Sequence, residues 1–398
     1  MRYVSAPKSV ALDLWSEGRG PMLIAIAFGW FLSISVRMIY PSLLPYLRTA
    51  YGLSLTTAGL LLSVLWVAYG LGQLPGGLLA DRVGERLLLI LSSLIAAGML
   101  TLVVVADSPV VLFVGTSLFG LGTAMYGVSR FTILKDIYPD RLGTATGVTM
   151  AAGDIGNAVM PPAAGILAAT VAWQYGFSFA VPLFLLAAAG LWLFLPARSA
   201  VPSPTDSAFD PGEIVSMLRQ RVVVHAAVLL VLWEAILQAF IGFYPTYLID
   251  VEGLSASVAT GLFGLFFAFG GLVKLLSGRA YDRIGVRYPL AALMSVTAVG
   301  IAAIPFASGL PSFVAITVLA SGILGSETVV ISDLTGRLSE NSRGAKLGSL
   351  RTFYIMLGAL SPVVFGGAAD LGHFDEAFLG VAVLTGGVVL YVLYYIDY

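Results

Sequence analysis

The chain has 398 residues, 58% of them apolar and only 11% charged, with 45 Gly; a soluble domain carries roughly 25% charged residues, so a soluble globular protein is excluded and the bilayer is the main solvent. Its 21 basic and 22 acidic residues leave a net charge of −1, which gives no basis for a nucleic-acid partner. Cysteine is absent and histidine occurs only at His225 and His373, which removes thiolate, disulfide and iron–sulfur chemistry and a histidine-rich metal site.

A hydrocarbon core about 30 Å thick takes about 20 apolar residues per helix. Twelve such runs are predicted, at residues 22–46, 55–79, 87–106, 110–137, 143–169 and 173–195, then 222–247, 256–279, 289–307, 312–336, 345–370 and 375–396. Lipid offers backbone groups no partners, so spans are helices or closed barrels, and continuous apolar runs of this length are not alternating barrel strands. The first run follows a 21-residue polar start carrying Arg2, Lys8 and Arg19 and, at 25 residues, exceeds a signal-peptide core. It is expected to be retained.

Between the sixth and seventh runs, residues 196–221 are neither apolar nor short and contain Pro202, Pro204, Asp206, Pro211 and Gly212. This composition marks a linker, whose last part, 213–221, has the length for a short interfacial helix or a solvated connector. The expected organisation is an N-terminal six-helix bundle (1–195), a cytoplasmic linker (196–221) and a C-terminal six-helix bundle (222–398). With the N-terminus inside, 16 of the 21 basic residues fall on the inner side, whereas the outer loops hold only Arg48 against Asp107, Asp250, Glu252, Asp370, Asp375 and Glu376. By the positive-inside rule both termini are expected in the cytoplasm, in a multi-pass protein of the cell membrane.

Two polar turns between spans repeat one another. Residues 77–86 (GLLADRVGER) and 278–287 (GRAYDRIGVR) share Gly77/Gly278, Asp81/Asp282, Arg82/Arg283, Gly84/Gly285 and Arg86/Arg287, each pair 201 positions apart. At the same offset Gly52-Leu53-Ser54 answers Gly253-Leu254-Ser255, Gly147 answers Gly348, and Pro161 with Gly165 answers Pro362 with Gly366. The predicted fold is thus an all-α polytopic membrane protein, twelve transmembrane helices in two bundles related by a parallel repeat, a design that rocks around a site near the bilayer midplane.

The spacing Gly-x-Leu-x-Asp-Arg-x-Gly-x-Arg, met by Gly77, Leu79, Asp81, Arg82, Gly84 and Arg86, resembles the loop signature of the major facilitator superfamily, and the resemblance covers the whole chain. It implies that this turn and its repeat, Gly278, Asp282, Arg283, Gly285 and Arg287, form a cytoplasmic gate that latches the two halves while the site faces outward. Arg37 in helix 1, Tyr69 leading into Gly72, Gln73, Pro75 and Gly77, and Tyr138-Pro139-Asp140-Arg141 followed by Gly143, Ala145 and Gly147 are similar to the anion:cation symporter group, which implies an organic anion as substrate. That group often has acids beside the helix-1 arginine and in the middle of helix 4; Val36 and the stretch around Met125 and Tyr126 stand there instead, so coupling would use other acids. The stretch from Gly153 through Gly156, Pro161, Pro162 and Gly165 resembles, imperfectly, the Gly-Pro signature of drug antiporters.

An ionisable residue inside a span costs about 2.5–3.5 kcal/mol on insertion scales, so it faces a partner, the bundle interior or water. Arg37 shares a helix face with Trp30, Ser33 and Tyr40, and a guanidinium there can grip a carboxylate or phosphate by two parallel hydrogen bonds. Arg130 and Asp154 stand 12 residues either side of a turn near 142, and Glu327 and Arg351 12 residues either side of one near 339. Each pair is expected at one depth, either as a structural ion pair or as one that a proton or substrate anion opens. Glu234, with Gln238 one turn later, lies on helix 7, the repeat partner of helix 1, and is expected to face Arg37. Lys274 is expected to snorkel to the inner surface. Tyr126 shares a face with Arg130, and the pairs Gly72/Gly76 and Gly143/Gly147 are expected at close helix contacts.

These residues read together as a secondary active transporter of a small organic solute, an organic anion by the resemblance, working by alternating access and coupled to protons. Substrate-binding candidates are Arg37, Tyr40, Tyr126, Arg130, Glu234 and Gln238; coupling or ion-pair candidates are Asp154, Glu234, Glu327 and Arg351. No P-loop or cofactor spacing is found, so neither cofactor nor metal is expected, and the expected form is a monomer in the bilayer. The competing readings are a proton-coupled exporter of hydrophobic or cationic compounds and a transporter-like sensor; an intramembrane hydrolase lacks His-Glu-x-x-His and Gly-x-Ser-x-Gly.

Overall fold

The computed structural model describes residues 14–196, 220–337 and 343–396. Six helices precede the linker: α1 (Arg19–Tyr51), α2 (Leu55–Val83), α3 (Glu85–Val104), α4 (Pro109–Ile137), α5 (Leu142–Thr170) and α6 (Tyr175–Phe194, interrupted at Phe179). Six follow it: α7 (Arg221–Asp250), α8 (Ala256–Ile284), α9 (Arg287–Phe306), α10 (Gly309–Arg337), α11 (Arg343–Gly358 continued by Ser361–Asp370) and α12 (Phe374–Tyr395). Among the described residues, 11 helices are long and apolar enough to cross a membrane. The twelfth place is taken by α5, which has 29 residues but many Gly, Ala and Thr. Residues 197–219 of the linker, and with them most of the short helix considered at 213–221, lie outside the described residues, and Arg221 already begins α7.

Large apolar side chains such as Ile155, Leu193, Val364 and Leu390 are exposed, as expected of helices apolar all round that sit in hydrocarbon. Trp15, Trp192, Tyr288, Tyr394 and Tyr395 are also exposed and all lie at the end where α6 leaves and α7 enters, here called the linker end. Such an aromatic belt marks a membrane–water interface.

The repeat is written into local geometry. Gly52 and Gly253 take φ of 62° and 66° after α1 and α7, and Gly84 and Gly285 take 83° and 74° after α2 and α8, a region where a Cβ is strained. Ser54 and Ser255 cap α2 and α8, their Oγ atoms accepting from Thr57 N at 3.2 Å and Val258 N at 3.4 Å. Arg86 donates to the Trp192 carbonyl at 2.6 Å, and Arg287 donates to that of Leu393.

The halves meet where α2 crosses α11 and where α5 crosses α8, with α1 against α7 between. A Cβ on Gly59 would lie 2.2 Å from Pro362 O, one on Gly366 2.3 Å from Leu55 O, and one on Gly165 2.2 Å from Thr260 Oγ1. Since Gly165 and Gly366 are repeat partners, one crossing is used twice, and only glycine lets the backbones approach so closely. Gly72 likewise meets Leu121 and Ala124, and Gly76 meets Met125. Gly143 and Gly147 do not make the expected contact: nothing lies within 4 Å of a Cβ on either, because both fall on the exposed face of α5, while Ala145 and Thr149 face the packed side.

Two helices depart from the expected continuity. In α10 the turn at Ser321–Gly322 tightens, with Gly322 N bonded to Leu319 O and Leu324 N to Ser321 O, both at 3.1 Å. A Cβ on Gly322 would meet Thr297 Oγ1 at 2.9 Å, so the kink brings α10 onto α9. In α11 the helix breaks at Ala359–Leu360, just ahead of Pro362, which has no N–H to continue the ladder.

Candidate substrate site and gates

Arg37 of α1 is 1% exposed, with its Cζ 3.7 Å from the ring centre of Tyr69 and 5.1 Å from that of Trp66, both on α2. Arg130 of α4 is 0% exposed; its Cζ lies 3.3 Å from the Trp30 ring centre and 4.3 Å from that of Phe131, and its Nη2 lies 3.2 Å from Met150 Sδ. Cation–π attraction to these faces offsets part of the burial cost. Nε and Nη1 of both arginines, and Nε of Arg351 on α11, are buried without a hydrogen-bond partner. Among the described residues, none of the three forms an ion pair.

The nearby acids have uncharged partners. Glu234 is 4% exposed and accepts from Gln238 Nε2 at 2.8 Å, while Glu327 accepts from the Tyr354 hydroxyl at 3.1 Å. Gly358 makes room for Glu234, since a Cβ there would sit 2.4 Å from Glu234 Cγ. Arg37, Glu234 and Arg351 lie within electrostatic reach of one another, as do Arg351, Glu234 and Glu327. The two halves therefore contribute to one polar cluster, in which Arg37 and Glu234 are buried and Glu327 and Arg351 partly buried.

Both expected ion pairs are corrected. Asp154 does not pair with Arg130; it pairs with Lys274 Nζ of α8 at 2.6 Å, across the halves. Lys274 therefore does not snorkel: it stands about 15 Å along α8 from Ile284, and Asp154 about 18 Å along α5 from Leu142, at 1.5 Å per residue. Among the described residues Glu327 and Arg351 form no ion pair, although they lie within electrostatic reach of one another; Glu327 accepts from Tyr354 instead. Counting from a shared turn gives depth, and depth does not tell which way around its axis a helix points a side chain.

Of the other candidates, Tyr126 donates to Ile26 O at 2.9 Å, and Gly29 leaves the room, since a Cβ there would lie 2.1 Å from that hydroxyl. Its polar atom thus ties α4 to α1. Tyr40 is fully buried with its hydroxyl unpartnered, packed on Phe177 and Phe119 at centroid distances of 4.8 and 6.0 Å. Residues not singled out as site members from sequence are Trp30, Trp66, Tyr69, Tyr354 and Lys274. The available signal was the i, i+3 spacing of Trp66 and Tyr69, which puts both on one face of α2.

At the end opposite the linker the halves are tied together. Arg48 of α1 pairs with Asp250 of α7. Asp370, at the end of α11, accepts from Leu55 N and Thr56 N at 2.7 Å and from Thr56 Oγ1 at 2.5 Å. It thereby caps α2 from the other half, placing a carboxylate at a helix's positive end. At the linker end Arg82, Asp282 and Arg283 are exposed, and Arg86 and Arg287 reach carbonyls within their own halves. Gly77 and Asp81 are described by backbone alone, and the expected role of the Asp81 side chain lies outside the described residues.

Twelve helices in two repeat-related sets, meeting at glycine-lined crossings around a buried charged cluster, are the frame of a membrane carrier. Residues 26–320 match the model of the Major Facilitator Superfamily. The chain belongs to this superfamily. It is a multi-pass membrane transporter and not an enzyme. The hexuronate transporter of Bacillus subtilis (strain 168) is 24% identical over 404 residues, covering 95% of this chain and 94% of that one. The 2-nitroimidazole transporter of Escherichia coli (strain K12) is 28% identical over 380 residues, covering 91% and 93%. A Cupriavidus necator protein described as "Probable sulfoacetate transporter" is 25% identical over 379 residues, covering 86% and 85%. A bacterial homolog of the human lysosomal transporter Spinster, in an inward-facing, unoccupied conformation, shares the fold at a TM-score of 0.82 and 16% identity, covering 95% of this chain and 97% of that one.

Proposed function

We propose that this superfamily member carries a small organic anion across the cell membrane by alternating access, driven by protons, with residues 1–195 and 222–398 as the rocking bundles and 196–221 as their linker. The observation that carries the reading is the pair of buried guanidiniums, Arg37 and Arg130, whose Nε and Nη1 donors have no partner. Buried donors are ordinarily satisfied, and a carboxylate or sulfonate supplies the acceptors these lack. Two relatives, the hexuronate transporter and the probable sulfoacetate transporter, agree with an anion.

In this reading the linker end is cytoplasmic, with both termini there. The Arg48–Asp250 pair and the Asp370 cap close the outer side, and the turns at 77–86 and 278–287 engage in the opposite, outward-facing state. Arg37 and Arg130 grip the anion, and Tyr40, Glu234 and Gln238 address the rest of the molecule. Tyr126 acts through Trp30 and α1, which it positions. Glu234 and Glu327 take the coupling proton beside Arg351, while the Asp154–Lys274 pair opens and closes as the halves rock. The transporter works as a monomer.

In proteoliposomes loaded with wild-type protein, uptake of labelled glucuronate or sulfoacetate is expected to accelerate under an imposed outside-acidic gradient. Uptake indifferent to the gradient removes the coupling and leaves the anion. Arg37→Ala is expected to reduce uptake about 100-fold, the effect of losing a bidentate charged contact; a mutant that transports as well as wild type overturns the reading. A second reading, export of an uncharged heteroaromatic compound, is favoured by the 2-nitroimidazole relative and by the aromatic faces of Trp30, Trp66 and Tyr69. That export survives in Arg37→Ala.

A further inference from the structure

The cluster holds more cationic donors than one carboxylate engages. Arg37 and Arg130 each leave Nε and Nη1 without partner and Arg351 leaves Nε, while Glu234 and Glu327 are held by Gln238 and Tyr354. Three guanidiniums thus stand against two carboxylates, and neither carboxylate accepts from a guanidinium.

One uncharged side chain, Tyr69, stands among the elements that carry the three arginines. Tyr69 lies within electrostatic reach of Arg37, Arg130 and Arg351 together. Its ring supports Arg37, and its hydroxyl passes over Gly127, where a Cβ would lie 2.9 Å from the oxygen and 3.7 Å from Cζ3 of Trp30, the ring under Arg130. On its other side Gly70 admits α11, since a Cβ there would meet Met356 Cγ at 2.8 Å and Thr352 O, the residue after Arg351, at 3.8 Å. Gly127 thus lets Tyr69 lie beside the ring that supports Arg130, and Gly70 lets α11, which carries Arg351, lie against α2.

A monocarboxylate has two oxygens and one charge, which a single bidentate guanidinium serves. We infer that the substrate is a doubly charged organic anion with its two anionic groups a short carbon spacer apart, one held by Arg37 and Arg130 and the other by Arg351. This rests on the anion reading above and deepens it: Arg351 becomes the residue that selects for the second charge. A dianion held this way also bridges the halves, so its presence bears directly on whether they close.

The test is binding to the purified full-length chain in nanodiscs, by calorimetry, of malonate, succinate, sulfoacetate and phosphonoacetate, each against its singly charged monomethyl ester or amide. At least one dianion is expected to bind tenfold or more tightly than its matched monoanion. In Arg351→Gln that ratio is expected to fall to about one, and Arg351→Lys, which keeps the charge, is expected to retain a ratio above that of the glutamine variant. Matched dianions and monoanions binding equally well overturn this inference and leave the anion reading standing, as does an Arg351→Gln protein whose ratio is unchanged. Should no anion of either charge bind the folded wild-type protein, the anion reading fails and this inference with it.

Discussion

Arg37 and Gln238 occupy equivalent places in the two halves, on α1 and α7, 201 residues apart. Arg37 lies over aromatic rings with two nitrogens unpartnered, whereas Gln238 donates to Glu234 one turn away. The same contrast holds at the latch opposite the linker, where Asp370 caps α2 while its counterpart Ala169 has no group to cap α8, and where Ile249 stands in the place of Arg48. At the capping serines, the positive-φ glycines and the glycine-lined crossings the two copies agree. The repeat thus sets the backbone, and the differences lie in the central charged side chains and at the latch opposite the linker.

The sharpest way to break this comparison is to remove both members of the central pair. Arg37→Ala is expected to cost about 100-fold in anion uptake, but Gln238→Ala only several-fold, since it deletes one hydrogen bond of modest net worth. Equal losses would mean that the repeat, and not the charge, governs the site. A smaller effect is expected at the latch: Asp370→Ala removes three bonds to the α2 start and is expected to shift the equilibrium about tenfold towards opening at that end. Distances between spin labels on the ends of α2 and α11 opposite the linker measure it, and an unaltered distribution would show that the cap does not hold the state. Smallest are the repeated caps. Ser54→Ala and Ser255→Ala should each destabilise by about 1 kcal/mol, as read from thermal unfolding in detergent; a loss at only one of them would break the equivalence of the two capping serines.

Much of the fold was legible because the membrane leaves little choice. A run of apolar residues must be a helix there, a repeat at fixed offset must be a repeated bundle, and Gly84 and Gly285 predict turns that only glycine tolerates. The breaks in α10 and α11 were not legible: Pro362 has a repeat partner in Pro161, and α5 nevertheless runs unbroken from Leu142 to Thr170.

The candidate site divides along the same line. The scarcity of charge within the spans pointed to Arg37, Arg130, Asp154, Glu234, Glu327 and Arg351, and counting from turns set their depths. Azimuth was beyond counting, because helix tilt and crossing rotate one face relative to the next. Hence Asp154 was matched to Arg130 although it meets Lys274, and the aromatic support from Tyr69 and Trp30 went unrecognised.

By itself the sequence determined the spans, their doubling and the inventory of buried charge, since each follows from the cost of placing polar groups in hydrocarbon. Only the tertiary structure decided which charges satisfy one another and which remain unpartnered. Pairing depends on a few ångströms and a helix rotation, and those are set by the glycines that let one half of the molecule lie against the other.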